Sequence, residues 1–119
     1  MIKQIMSEDI TENLKKDSNK ILLDVRTEHE WDSFGRPDGE KLGLKTYFLT
    51  IKDENFANDF KKLGINKDHE ILTMCMGGVR SQAAAELLAK EDYKCTNVSD
   101  GFLGNSVSPG WKNSGLPCK

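Results

Sequence analysis

No stretch of this 119-residue sequence approaches the ~20 consecutive apolar residues of a membrane-spanning helix. The opening residues, Met1-Ile2-Lys3-Gln4-Ile5-Met6-Ser7, lack the hydrophobic centre of a secretory signal. A cytoplasmic chain with no membrane partner is the expectation. Neither sign of charge dominates: 17 Lys plus Arg stand against 19 Asp plus Glu, a net −2 at pH 7. That balance argues against a nucleic-acid partner, since such proteins present a basic face. Cysteine is scarce, and its count of three is odd. A disulfide scaffold is thereby disfavoured and reduced thiols are expected. Cys75, Cys95 and Cys118 are too widely spaced, and His29 and His69 too scattered, to spell a zinc site. Aromatic residues make up only 8% and hydrophobic residues 37%. With so small a net charge this still describes a globular chain and not a disordered polyelectrolyte. The length suits one domain, residues 1–119.

What is present alternates. Short apolar runs are followed by amphipathic stretches, the rhythm of an α/β fold. Ile2–Ile5 is a first short strand candidate, and Ser7 a helix N-cap with Glu8 and Asp9 in the first turn. Ile10 and Leu14 then share a helix face. Ile21-Leu22-Leu23-Asp24-Val25 has the continuous apolarity of a strand buried on both faces. Thr27 and Glu30 fit a capping box, with Trp31 and Phe34 following toward the core. Residues 35–43 form a loop, and Leu44–Ile51 holds a short strand. Asp53 caps a helix carrying Phe56, Phe60 and Leu63, which Gly64 ends. Glu70–Cys75 is the clearest strand, and Arg80–Lys90 the clearest helix, with Ala83, Ala84, Leu87 and Leu88 on one face. Thr96–Val98 is a last strand, Ser99–Gly110 a loop, and Gly110–Gly115 a helical turn. About five strands and five helices make the content of a doubly wound sheet, whose sites lie beyond the carboxyl ends of the strands.

The segment Cys75-Met76-Gly77-Gly78-Val79-Arg80-Ser81 sits between the clearest strand and the clearest helix. Gly77 and Gly78 permit positive φ, so successive N–H groups can turn inward as an anion nest. The helix that follows directs its positive end at the same spot. Arg80 is the only formal charge between Ile71 and Ala85, and its planar fork suits an oxyanion. Such positive potential favours the thiolate of Cys75, the nucleophilic form, and holds an anionic substrate against it. Neither histidine lies close to the loop in sequence.

These residues resemble the rhodanese domain family. Asp24-Val25-Arg26-Thr27-x-x-Glu30-Trp31 is similar to the family's Asp-Val-Arg segment, and Cys75–Ser81 to its active-site loop. Tyr93 through Gly101, then Trp111-Lys112-Asn113-Ser114-Gly115-Leu116-Pro117, resembles its closing strand, glycine turn and terminal Trp…Gly-Leu-Pro. The resemblance runs from Ile2 to Pro117. It implies a central, mostly parallel five-stranded sheet with helices on both faces. It also implies a sulfurtransferase that carries sulfane sulfur as a persulfide on Cys75, with Met76, Gly77, Gly78, Val79, Arg80 and Ser81 binding the substrate. Asp24 and Arg26 are implied structural supports, joined to loop backbone groups. A donor such as thiosulfate and a thiol, protein or cyanide acceptor follow, with no metal and no organic cofactor. The family's phosphatase relatives use a loop one residue longer, Cys-x5-Arg; four residues separate Cys75 from Arg80 here, which favours sulfur over phosphate or arsenate chemistry. A non-enzymatic persulfide carrier needs the same protected cysteine and remains the alternative from another class.

The chain departs from the family pattern at Gly35-Arg36-Pro37-Asp38-Gly39, where Gly-His-Ile-Pro-Gly-Ala is usual, and at Asp100-Gly101, where Gly-Gly is usual. Trp31, Phe34, Phe56 and Phe60 read as core, Trp111 as packing under the C-terminal loop, and Cys95 as a small buried hydrophobe. Met76 would give the mouth an apolar lip. Cys118 lies next to the C-terminus, where chains are mobile unless docked, and reads as an ordinary exposed thiol with no redox role.

Overall fold

The computed structural model describes residues 2–53 and 55–119. Strand β1 (Lys3–Ile5) leads through a 3-10 turn (Ser7–Asp9) into α1 (Ile10–Lys16). Then come β2 (Lys20–Asp24), α2 (Glu28–Phe34), a second 3-10 turn (Gly39–Leu42) and β3 (Lys45–Phe48). The chain continues through α3 (Phe56–Lys61), β4 (Glu70–Met74), α4 (Val79–Ala89), β5 (Lys94–Val98) and α5 (Gly110–Asn113). The five strands form one sheet in the order β1-β5-β4-β2-β3, every neighbouring pair parallel.

The sheet's alternation sorts its apolar residues into two cores. Ile21, Leu23, Val25 and Ile71 face one side, against Phe56 and Phe60 of α3 and Ala84 and Leu88 of α4. Leu22, Leu72, Met74 and Val98 face the other, with Ile10, Phe102 and Trp111. Each such fully buried aliphatic side chain contributes roughly 1.5–3 kcal/mol. Strand β4 lies between β2 and β5, so its end opens at the middle of the sheet, where the order of connection reverses.

Several local expectations give way to tertiary contacts. Ser7 is no N-cap: it is fully buried, and its N–H and hydroxyl both donate to Asp100 Oδ1, at 3.0 and 2.9 Å. Phe34 is 41% exposed, and Trp31 only half-buried. Helix α2 lies by the edge strand β3, where Phe48 packs edge-on to Trp31 with ring centroids 5.3 Å apart, and Phe34 stays outside either core. On α4 the buried face is Ser81, Ala84, Ala85 and Leu88, while Ala83 faces solvent. Helix α3 ends before Leu63, which is 40% exposed. Asp53 sits ahead of that helix, its Oδ1 accepting the Asn55 N–H at 2.9 Å, and Asn55 is the N-cap.

The C-terminus is docked. Pro37 and Cys118 form an antiparallel bridge, and Arg36 and Lys119 exchange backbone hydrogen bonds at 3.1 and 2.9 Å. The indole of Trp111 donates to the Pro117 carbonyl at 2.7 Å, so Trp111 packs under the C-terminal segment as expected. No helix of the described residues is long and apolar enough to cross a membrane.

Candidate functional site

Cys75 follows the last residue of β4 and is 1% exposed. Its Sγ accepts the Gly78 N–H at 3.1 Å and lies 3.3 Å from the Ser81 hydroxyl. The chain reaches this turn through Gly78, whose φ of +103° is left-handed and whose added Cβ would sit 2.2 Å from the Ser99 carbonyl oxygen. Glycine is required there on both counts. A strap from the end of β5 closes over the loop: Phe102 donates to the Cys75 carbonyl at 2.8 Å and Leu103 to that of Met76 at 3.2 Å. Gly101 lets the strap approach, since a Cβ there would meet Met76 O at 2.4 Å.

Apart from the Gly78 N–H, the backbone donors of the loop are unpaired within the described residues. Among the described residues the N–H groups of Met76, Gly77, Val79, Arg80 and Ser81 find no acceptor in the protein. Those of Val79, Arg80 and Ser81 belong to the first turn of α4, whose N–H groups point out along the helix axis. Partners for such groups come from water or a ligand. Val79 offers only its backbone, its side chain being 82% exposed, while Met76 is half-buried at the rim.

The guanidinium of Arg80 is differently placed from the free fork anticipated above. Nη1 and Nη2 donate to the two oxygens of Glu30, at 2.6 and 2.7 Å. Thr27 and Glu30 do form the capping box, so Glu30 serves its own helix and Arg80 together. Hydrogen bonds from Arg80, helped by those from Thr27, lower the Glu30 carboxyl to about 2. The same contacts raise Arg80 above its ordinary value. At the end of β2, Asp24 and Arg26 pair with neither side chain exposed, and Arg26 also donates to the Gly35 carbonyl at 2.9 Å. They thus join the end of β2 to the backbone of the segment that departs from the family pattern.

The roles of three residues at or near the loop escaped the reading of the sequence. Glu30 was legible as a cap and as part of the Asp-Val-Arg segment, but not as the partner of Arg80. Asn97 of β5 accepts from the Ser81 hydroxyl at 2.5 Å and donates to the Gly78 carbonyl at 3.0 Å and to Gln4 at 2.9 Å. An asparagine inside a buried strand must find such partners, and that was its one signal. Asp100 is fully buried and accepts from Ser7, from the Ser108 hydroxyl at 2.9 Å and from the Gly110 N–H at 3.0 Å. It ties the 99–110 loop to the turn at Ser7.

The other thiols lie elsewhere. Cys95 is half-buried beside Tyr93, and burial pushes its thiol up to about 12. Cys118 is exposed at the docked tail, and partial burial raises its thiol as well. Among the described residues no three His, Cys, Asp or Glu side chains converge as metal ligands do.

A comparison with known proteins matches residues 7–105 to the rhodanese-like domain. The chain is 37% identical over 120 residues to an uncharacterised protein of Rickettsia prowazekii, covering 98% of this chain and 97% of that one. It is 26% identical over 118 residues to a protein of Allochromatium vinosum named sulfurtransferase, covering 98% and 94%. The crystal structure of Rv0390 from M. tuberculosis superimposes with a TM-score of 0.79 at 27% identity, covering 98% of this chain and 96% of that one. The rhodanese-like model spans most of a chain whose own fold is a five-stranded parallel sheet with Cys75 at the end of the middle strand, and the chain belongs to the rhodanese-like domain family.

Proposed function

We propose that the chain, acting as one domain, is a sulfurtransferase that carries sulfane sulfur as a persulfide on Cys75. The observation that carries this reading is a buried thiol that accepts the Gly78 N–H, at the foot of a loop whose other N–H groups, from Met76 to Ser81, find no acceptor among the described residues. A nucleophile needs such a site when its substrate delivers an anionic leaving group. In the first half-reaction the Cys75 thiolate attacks the outer sulfur of thiosulfate. A new S–S bond forms, the old one breaks, and sulfite leaves with the electron pair. The loop N–H groups and the positive end of α4 hold the oxyanion as charge moves onto it. In the second half-reaction cyanide, or a cellular thiolate, attacks the outer sulfur of the persulfide and regenerates the Cys75 thiolate. Two half-reactions sharing one covalent intermediate give ping-pong kinetics.

Asp24 and Arg26 brace the Gly35 segment and the Phe102 strap, which in turn closes over the loop, and Ser81 and Asn97 fix the loop's floor. Intact-protein mass after thiosulfate treatment tests the reading. One added sulfur atom is expected, located at Cys75 by peptide mapping, removed by cyanide and absent in Cys75→Ser. Sulfur mapping to Cys95 or Cys118 instead would overturn it. Steady-state turnover from thiosulfate to cyanide separates an enzyme from a passive persulfide carrier.

A further inference from the structure

The fork that the sequence offers to an oxyanion is engaged by a carboxylate of the protein itself. Arg80 gives one nitrogen to each oxygen of Glu30, the two-pronged geometry in which such pairs are strongest. Glu30 is held in place from its other side too. It is the third residue of α2, and its Oε1 accepts from the Thr27 N–H and hydroxyl, both at 3.1 Å. Its side chain is 17% exposed, that of Arg80 40%. With the carboxyl lowered to about 2, the group is an anion throughout the physiological range. The mouth therefore holds a cation and an anion in contact, and the field of such a pair decays faster than that of a lone guanidinium. The groups on Cys75 Sγ, the Gly78 N–H and the Ser81 hydroxyl, are neutral. The other ion pair, Asp24 with Arg26, is fully buried, and among the described residues the Arg26 guanidinium donates besides only to the Gly35 carbonyl.

Building on the assignment of Cys75 as sulfur carrier, we infer that Glu30 is a specificity-determining residue that acts through Arg80. By taking one N–H from each Nη of the guanidinium and setting its own negative charge beside it, it turns the loop away from doubly charged sulfur donors and toward singly charged or neutral ones. A dianion that reaches the N–H groups of Arg80 left over must bring its negative oxygens toward the Glu30 carboxylate or prise Arg80 away from it. A monoanion rests on the backbone N–H groups with the pair left intact. The chemistry at sulfur is common to both: the thiolate takes the outer sulfur, and the leaving group departs with the electrons of the broken S–S bond.

Methanethiosulfonate and thiosulfate separate the two cases. They present the same outer sulfur, but a methyl group replaces one anionic oxygen, so the leaving group is methanesulfinate in place of sulfite. The experiment measures kcat and KM for each donor, with cyanide as acceptor, in the wild type and in Glu30→Gln. Glutamine preserves the capping box, so the start of α2 is kept. In the wild type, KM for methanethiosulfonate should lie about tenfold below that for thiosulfate, the size of one weakly screened charge contact. Glu30→Gln should lower KM for thiosulfate by about tenfold and shift that for methanethiosulfonate by less than about threefold, with kcat nearly constant.

An unchanged ratio of the two KM values overturns the inference. So does a parallel loss with both donors, which marks Glu30 as a purely structural partner. If the variant does not fold, the wild-type ratio decides alone: a KM for thiosulfate at or below that for methanethiosulfonate refutes the role. Intact mass keeps this separate from the assignment of Cys75. If neither donor adds sulfur to Cys75, both readings fall; if both donors do and the ratio ignores Glu30, only this one falls.

Discussion

Arginine meets carboxylate twice around the loop, and the two meetings differ in almost everything except chemistry. Arg26 and Asp24 are both fully buried, joined by Nε to both oxygens at 3.1 Å and by Nη2 to Oδ2 at 2.8 Å. The guanidinium also lies 4.2 Å from the centroid of the Phe102 ring, on the strap that closes over Cys75. Arg80 and Glu30 form an equally close pair at the rim, partly open to water. Inside, nothing can replace a lost partner, so the pair is a joint between β2, the loop after α2 and the strap. At the rim, water or a substrate can compete, so the pair sets which charge is welcome. Depth, and not the pairing itself, assigns the two roles.

The largest expected effect comes from breaking the deep pair. Asp24→Asn leaves the Arg26 charge buried without its counterion and should cost about 3–5 kcal/mol of stability. A urea melt showing less than about 1 kcal/mol would contradict the assignment of this pair as the joint. Arg80→Ala, by contrast, should change stability by at most about 1 kcal/mol, as exposed pairs do. Its effect should appear in kcat/KM for thiosulfate, with a loss of order 10²-fold, because the variant removes a charge at an oxyanion site and leaves Glu30 bare. Adding Glu30→Gln to Arg80→Ala should recover about tenfold of that loss. Additive losses would show that the pair does not act as a unit.

Acid titration sharpens the contrast further. The Glu30 carboxyl is lower in the folded protein than its ordinary 4.5, so its ionisation stabilises the fold above that value. The contribution is lost as the pH falls from 4.5 toward about 2. Wild-type melting temperatures should therefore fall more steeply across that window than those of Glu30→Gln. Parallel curves would sink the claim that Arg80 holds the carboxylate down. The smallest effect belongs to Cys118→Ser. Its thiol is raised by burial and tied to the 36–38 segment through the tail, so transfer from thiosulfate to cyanide should stay within about twofold of wild type. A Cys75–Cys118 crosslink in a non-reducing peptide map after donor treatment would make Cys118 a resolving thiol instead.

Strands β2 and β4 and helices α2 and α4 were legible because their signals are local. Unbroken apolarity marks a strand buried on both faces, and Thr27 with Glu30 satisfies N–H groups only a few residues away. The loop was legible for the same reason: thiol, glycines and helix start are contiguous, from Cys75 to Ser81. Ser7 misled because a serine before acidic residues looks like a cap wherever it stands. Only its distance from Asp100, 93 positions away, reveals its use. Phe34 misled because helical spacing says which residues share a face, not whether a neighbouring element covers it.

By itself the sequence determined the kind of chemistry and where it lies along the chain. A nucleophile, a turn that only glycine can make and a helix start require no knowledge of distant residues. The tertiary structure decided what surrounds that chemistry. It brought Glu30 across 50 positions onto Arg80, set Asn97 beneath Ser81, and folded the strap at Phe102 over Cys75. These contacts join residues on different elements, and their energies depend on burial and separation. No pattern of spacing along one chain encodes either quantity, so the electrostatic character of the mouth existed only once the sheet had formed.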